Sequence, residues 1–176
     1  RALFRDNHDC LWVAAKSREL YRYSPDLKTC RRFHDGERCG VIYSIFEDRD
    51  GNIWLGTKGD GLVRLKPDGD DYSYKIFRHD PSDRNSLSSD NIYSVEQDHD
   101  GRIWIGTYGG GLSMLPTADS EEFVTVRNNF PDYPQEAGQR IRYLHCMPDG
   151  RMLVASVSGL ILFEPSDRPE LTLFNL

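Results

Sequence analysis

The stretches "DGNIWLGTKGDGL" (Asp50–Leu62) and "DGRIWIGTYGGGL" (Asp100–Leu112) agree at nine of thirteen positions and begin 50 residues apart. A turn, an indole, a Gly-Thr pair and a glycine-rich corner, written twice in one chain, signal an internal repeat, and a repeat decides a fold before local propensity does. Aligning outward from the turn brings in two degraded copies. "LFRDNHDCLWVAAKSRELYRY" (Leu3–Tyr23) carries Asp9 where the turn glycine stands. "LHCMPDGRMLVASVSGLILF" (Leu144–Phe163) carries Leu153 for the indole and Ser156 for the threonine. The indole position falls at 12, 54, 104 and 153, in steps of 42, 50 and 49.

Each unit has one internal grammar. An alternating run such as "VIYSIFED" (Val41–Asp48) has period two and is rich in β-branched and aromatic residues, which predicts a strand. Asp50-Gly51 and Asp100-Gly101 then supply a tight turn. "NIWLGT" (Asn52–Thr57) is a second strand and "GLVRL" or "GLSML" a third. The fourth reads "YKIFRH" (Tyr74–His79), "FVTVRN" (Phe123–Asn128) and "LTLFNL" (Leu171–Leu176). No segment carries a helical stripe. Four short antiparallel strands per unit, with an aromatic anchor and glycine corners, predict an all-β chain built of four β-propeller blades. The blades are placed at residues 1–40, 41–90, 91–140 and 141–176, the first and last degenerate. Trp54 and Trp104 are expected to fill the wedges between blades, and mid-strand Gly56 and Gly106 to admit a neighbouring backbone. Thr57 and Thr107 are expected to bond the glycine corner that follows.

Composition narrows function by exclusion. The chain has 176 residues, a net charge of −6, and no basic run longer than Arg31-Arg32, so it lacks the electrostatic footprint of a nucleic-acid binder. No stretch reaches the roughly 18 apolar residues of a membrane span. The chain starts mid-pattern at Arg1, which reads as a segment of a longer protein with any export signal outside it. Cys10, Cys30, Cys39 and Cys146 lack metal-ligand spacing, and a Cys30–Cys39 bridge is open in an oxidising compartment.

The residues "EDRDGNIWLGTKGDGLVRL" and "QDHDGRIWIGTYGGGLSML", with the linker "FRHDPSDRNSLSSDNIYSV" (Phe77–Val95), resemble the two-component regulator propeller repeat. The resemblance points to the periplasmic sensor region of bacterial hybrid two-component histidine kinases that regulate polysaccharide use. It implies that the four blades are part of a seven-bladed propeller, in a protein that continues to a β-sandwich, one membrane span and cytoplasmic kinase parts. It also implies glycan breakdown products as signal and a homodimer in the parent protein, with membrane contact only through the parent's span.

Several motifs invite a stronger reading than they carry. "GTKGDG" and "GTYGGG" lack the following helix that a phosphate-cradling loop needs. "EQDHDG" (Glu96–Gly101) alternates carboxylates as a calcium loop does, but Thr107 stands where a bidentate Glu belongs. Glu47, Asp48 and Asp98 recur at equivalent repeat positions, which turn chemistry predicts and glycoside hydrolysis does not. The five histidines, His8, His34, His79, His99 and His145, show no paired spacing. No catalytic residue, metal or cofactor is expected.

In a propeller the blade-to-blade linkers share a face with the turns between second and third strands. That face collects Lys58, Asp60, Tyr108 and the linkers 80–90 and 129–139, and the first strands bring Tyr43, Tyr93 and Arg142 to the channel mouth. Carbohydrate sites combine aromatic faces with Arg, amide and carboxylate groups. Tyr93, Tyr108, Arg84, Arg142 and Tyr133 are therefore the ligand-binding candidates, with an oligosaccharide the expected ligand. The favoured function is a non-enzymatic, extracytoplasmic sensor segment. The alternatives are an interaction or dimerisation scaffold without its own ligand, and a propeller glycosidase or lyase.

Overall fold

Alternating apolar residues bounded by Asp-Gly turns leave short strands that can only pair with their sequence neighbours, and the structure consists of such meanders. The computed structural model describes residues 1–16, 18–33, 40–126, 128, 130, 133–166 and 170–175. The first sheet comprises β1 (Ala2–Arg5), β2 (Leu11–Ala14), β3 (Leu20–Tyr23) and β4 (Cys30–Phe33). The second comprises β5 (Ile42–Glu47), β6 (Ile53–Thr57), β7 (Leu62–Asp68) and β8 (Asp71–Phe77). The third comprises β9 (Ile92–Gln97), β10 (Ile103–Thr107), β11 (Leu112–Leu115) and β12 (Val124–Thr125). A single helical turn, α1 (Gln135–Gly138), precedes the fourth sheet, β13 (Ile141–Cys146), β14 (Met152–Ser156), β15 (Gly159–Phe163) and β16 (Leu171–Asn175). Every sheet is antiparallel with its strands in chain order. The fold is all-β, four four-stranded propeller blades side by side.

The first strands β1, β5, β9 and β13 neighbour one another in succession. Residues of all four line one groove, so the inner strands curve around a common axis.

Each pair of sheets encloses one apolar wedge. Trp12, Leu20 and Phe33 pack against Ile42, Ile53, Leu55 and Val63 of the second sheet. Trp54 and Phe77 pack against Ile92, Val95, Ile103 and Ile105 of the third, with Leu87 of the linker filling the remainder. Trp104 and Met114 pack against Ile141, Leu144, Met152 and Val154 of the fourth. The three indoles are fully buried; at about 150–250 Å² each, this is a gross transfer gain of about 4–6 kcal/mol per ring. The phrase recurs because the same wedge must be filled once per sheet.

Gly56 and Gly106 serve the same packing. A Cβ on Gly56 would lie 2.7 Å from Ile92 Cγ2, and one on Gly106 would lie 2.6 Å from Ile141 Cγ2. The neighbours that need the space are side chains rather than the backbone the sequence suggests: the isoleucine opening the next inner strand at both positions and, nearest of all at Gly56, Ser44 Oγ of its own sheet.

Three stretches depart from the sequence expectation. The outer strand of the third sheet is only Val124–Thr125, not Phe123–Asn128. The Phe123 amide reaches the Asn85 carbonyl of the linker, Asn128 Oδ1 takes the Thr125 amide, and the Val126 amide still reaches the Leu112 carbonyl at 3.3 Å. The β7–β8 hairpin is longer than expected because Gly69, at φ +61°, closes it with Asp70. The linker 129–139 contains α1. The Cys30–Cys39 pairing falls on Cys39, outside the described residues.

Candidate functional site

Two ends of the sheets use their polar groups in different ways. At the turn between first and second strands, a buried aspartate closes the loop on itself. Asp48 Oδ1 accepts the amides of Asp50 (3.0 Å) and Asn52 (2.9 Å), and Oδ2 accepts the indole N–H of Trp54 at 2.8 Å. Asp98 does the same for Asp100, Arg102 and Trp104, the indole bond again 2.8 Å. In the first sheet Asp6 takes the amides of His8 and Cys10, the Trp12 indole at 2.9 Å and the Arg22 guanidinium. Burial pushes the Asp6 carboxyl up, but the Trp12, Arg22 and Cys10 donors outweigh it and hold it below the ordinary value. The aspartate stands six residues before the indole each time, and in the fourth sheet both members change together, to Met147 and Leu153.

The same end is stitched from sheet to sheet. Glu47 Oε2 accepts the Asn7 amide at 2.7 Å and Gln97 Oε1 the Arg49 amide at 2.9 Å. The Arg49 guanidinium bonds the Asp98 and His99 carbonyls of the next turn. These carboxylates and amides are occupied by scaffold.

The opposite end holds the glycine corners and the linkers. Thr57 Oγ1 donates to the Gly61 carbonyl at 2.6 Å and accepts the Asp60 amide, and Thr107 repeats this with Gly111 and Gly110. The Gly59 and Gly61 amides both reach the Asp90 carbonyl, and those of Gly109 and Gly111 the Gln139 carbonyl. Corner and linker thus form one surface at this end of the inner-strand groove.

On this surface lies a row of side chains set by β-bulges. In β5, Ile42 faces Thr57 and Ser44 faces Gly56, leaving Tyr43 opposite no partner. Tyr93 in β9 and Arg142 in β13 are left over in the same way. A bulge re-aims the side chain of its extra residue. Here it brings Tyr43 and Tyr93 together, ring centroids 4.8 Å apart and tilted by 33°. Tyr93 in turn lies 5.3 Å from Tyr108, which projects from the corner after β10. The Arg142 guanidinium carbon sits 4.9 Å from the Tyr93 centroid and 4.8 Å from that of Tyr108. Arg1, at the equivalent repeat position of the first sheet, lies over Tyr43 at 5.4 Å. Burial, reinforced by Tyr43, raises the Tyr93 phenol above its ordinary value, and Arg142 offsets only part of this. Tyr43 and Tyr93 also rim the groove along the inner strands, about 470 Å³ in volume.

Of the five ligand-binding candidates, the structure brings together Tyr93, Tyr108 and Arg142. Tyr133 lies elsewhere: it is buried in the wedge of the fourth sheet, its hydroxyl donating to the Gly138 carbonyl at 2.6 Å, and burial drives its phenol far above the usual range. Its ring meets Gly138 so closely that a Cβ there would be 2.6 Å away, which makes it the lock of α1 and not a surface ring. Arg84 is exposed beside the outer strand, its carbonyl accepting from Asn128. Tyr43 and Arg1 belong to the row although composition did not single them out as candidates; their signal is the repeat register, which places 1, 43, 93 and 142 in one column.

Residues 36–59 and 86–109 match the two-component regulator propeller family. Those two stretches are similar to its repeats. Among curated protein sequences none matches it. Among solved structures, the chain is similar to the extracellular domain of a protein described as a hybrid two-component system of B. thetaiotaomicron. That likeness has 23% identity and a TM-score of 0.76, over 98% of this chain and 22% of the other. PorZ, a surface component of the type-IX secretion system of Porphyromonas gingivalis, gives 16% identity and a TM-score of 0.71 over 99% of this chain and 27% of PorZ. Virginiamycin B lyase of Staphylococcus aureus gives 12% identity and a TM-score of 0.72 over 99% of this chain and 54% of the lyase. The chain spans about a fifth of the first neighbour's length and about half of the lyase's. At these identities the likeness fixes the propeller fold, whose repeats here begin at each inner strand.

Proposed function

We propose that this chain is a blade segment of an extracytoplasmic, periplasmic sensor region of a hybrid two-component system. It takes part in binding a carbohydrate-type signal, and the intact protein, as a dimer, relays occupancy to a cytoplasmic histidine kinase. The observation that carries this reading is the row Tyr43, Tyr93, Tyr108 and Arg142, three rings and a guanidinium gathered at one end of the inner strands by bulges of β5, β9 and β13 and by the corner after β10. Half-buried aromatic faces stack on the apolar faces of sugar rings, while phenol and guanidinium groups serve their hydroxyls. The propeller repeats at 36–59 and 86–109 support the signalling context.

A sensor needs different affinities in two arrangements rather than chemistry. The recurring acids support that reading, since Asp6, Asp48 and Asp98 are committed to turns and indoles. The test is calorimetry of the intact protein against a broad panel of glycan oligosaccharides, paired with phosphotransfer from the kinase. Binding that Tyr93→Ala and Tyr108→Ala weaken together, and that alters phosphotransfer, is the expected result. Silence across the panel, or binding untouched by both substitutions, overturns it.

A further inference from the structure

The channel mouth differs from the rest of the molecule in charge. The chain carries a net charge of −6, yet this surface collects Lys58, Arg140 and Arg142. Lys58 and Arg140 are placed there by matching bridges, to Asn91 and Tyr108 respectively. Of the acids that corners and linkers bring to this face, Asp60 lies 3.8 Å from the Arg78 guanidinium and Asp90 Oδ1 accepts the His79 amide at 2.7 Å, Asp80 and Asp83 accept amides of their own linker, and Glu136 is exposed on α1. Among the described residues no carboxylate pairs with Lys58, Arg140 or Arg142. Several guanidiniums elsewhere meet carboxylates, as Arg22 meets Asp6, Arg102 meets Asp98 and Asp100, and Arg151 meets Asp149, while Arg49 bonds only carbonyls.

Arg142 is also held in place. It occupies the bulge position that the two preceding sheets fill with tyrosine, and it rests over two rings at once. A guanidinium lying on aromatic faces keeps its N–H edge for a ligand, and its planar fork matches a carboxylate or sulfate bidentately in a way a lysine ammonium does not. A neutral sugar would leave that charge unanswered.

Resting on the ligand-binding reading above, we infer that the mouth takes an acidic saccharide. Its carboxylate or sulfate sits on the Arg142 guanidinium, with Lys58 and Arg140 adding to the field, and its ring stacks on Tyr93 or Tyr108. This narrows the ligand from carbohydrate in general to glycans bearing uronic acid or sulfate groups.

The experiment prints one array of neutral, uronate-containing and sulfated oligosaccharides and probes it with the intact protein and with its Arg142→Gln and Arg142→Lys variants. Arg142 is exposed, and equal melting temperatures of the three proteins show that folding is unaffected. The expected result is binding confined to acidic glycans, reduced at least tenfold by Arg142→Gln, less by Arg142→Lys, and weakened as salt rises from 50 to 500 mM. The uronate and sulfate arms tell which oxyanion is preferred. Binding to neutral glycans alone, or acidic binding indifferent to both variants, overturns the acidic ligand and leaves the sensor reading standing. Binding to none of the three classes overturns both.

Discussion

The buried aspartate–indole bond should be measurable as a coupling between two residues. In the third sheet the pair is Asp98 and Trp104, both essentially without exposure, joined by a 2.8 Å bond. Asp98→Met removes the acceptor of the indole N–H and of the Asp100 and Arg102 amides. The amides lie near the surface and recover water, but the indole N–H stays buried and unpaired, at about 1–3 kcal/mol. With the lost turn bonds, the single variant should cost about 3 kcal/mol. Trp104→Leu opens a cavity in the wedge between the third and fourth sheets and should cost a similar amount, about 3 kcal/mol, at the low end for large-to-small aromatic changes. The double variant reproduces the pair that the fourth sheet carries, Met147 and Leu153, and removes donor and acceptor together. Hydrogen bonds to a charged group contribute about 1.5–3 kcal/mol, so the double variant should be more stable than the sum of the singles by that amount. Urea denaturation followed by far-UV circular dichroism measures all four proteins, with Trp12 and Trp54 as a second probe of two-state behaviour. Additivity within about 0.5 kcal/mol would refute the clamp and leave the aspartate as a turn residue only.

Gly106→Ala should destabilise by about 1–3 kcal/mol, because its Cβ meets Ile141 Cγ2 at 2.6 Å, and adding Ile141→Ala should make the combined cost less than additive; strict additivity in denaturation would argue against that contact. Glu96 faces the inner groove, and burial raises its carboxyl despite the Gln97 and Cys146 amides and His145. A folded-state value raised above 4.5 means that stability falls as pH climbs through that range, so Glu96→Gln should melt higher than the parent at pH 7, with the difference closing below pH 4.5. An equal melting temperature at pH 7 would remove the burial argument. Asp9 adopts φ +62° where the sister turns have glycine, and Asp9→Gly should stabilise by about 0.5 kcal/mol, its exposed ion pair to Arg5 counting for little. A fall in the urea midpoint would show that Asp9 is unstrained.

What the sequence made legible follows from what repeats. Trp54, Trp104 and the Gly-Thr corners recur with their packing duties, so pattern alone placed the sheets and wedges. The aspartate six residues before each indole recurs just as plainly at 6, 48 and 98, and its joint loss with the indole at 147 and 153 was a readable signal of a bond. Turn chemistry explained the aspartates well enough to hide it. Tyr133 stood in a polar linker with every mark of a surface ring, and only the one-turn α1 and the Gly138 carbonyl draw it inward. The outer edge of the third sheet is joined to the linker by Asn85 and Asn128, whose partners lie some forty residues away and leave no period in the sequence.

The same contrast separates scaffold from site. At the first turn of each sheet, carboxylate, amide and indole groups satisfy one another within the repeat or with the next repeat, so substitutions there register as stability. At the mouth, bulges in β5, β9 and β13 each take one residue out of the ladder, and that residue is free to differ: tyrosine, tyrosine, then arginine. Nothing in strand pairing requires arginine at 142, since Tyr43 and Tyr93 fill the same backbone position. A charge set on two rings without a carboxylate partner, where an aromatic side chain would satisfy strand pairing, is what the proposed ligand would answer. That is why the oxyanion of a ligand, and not packing, is the partner assigned to it.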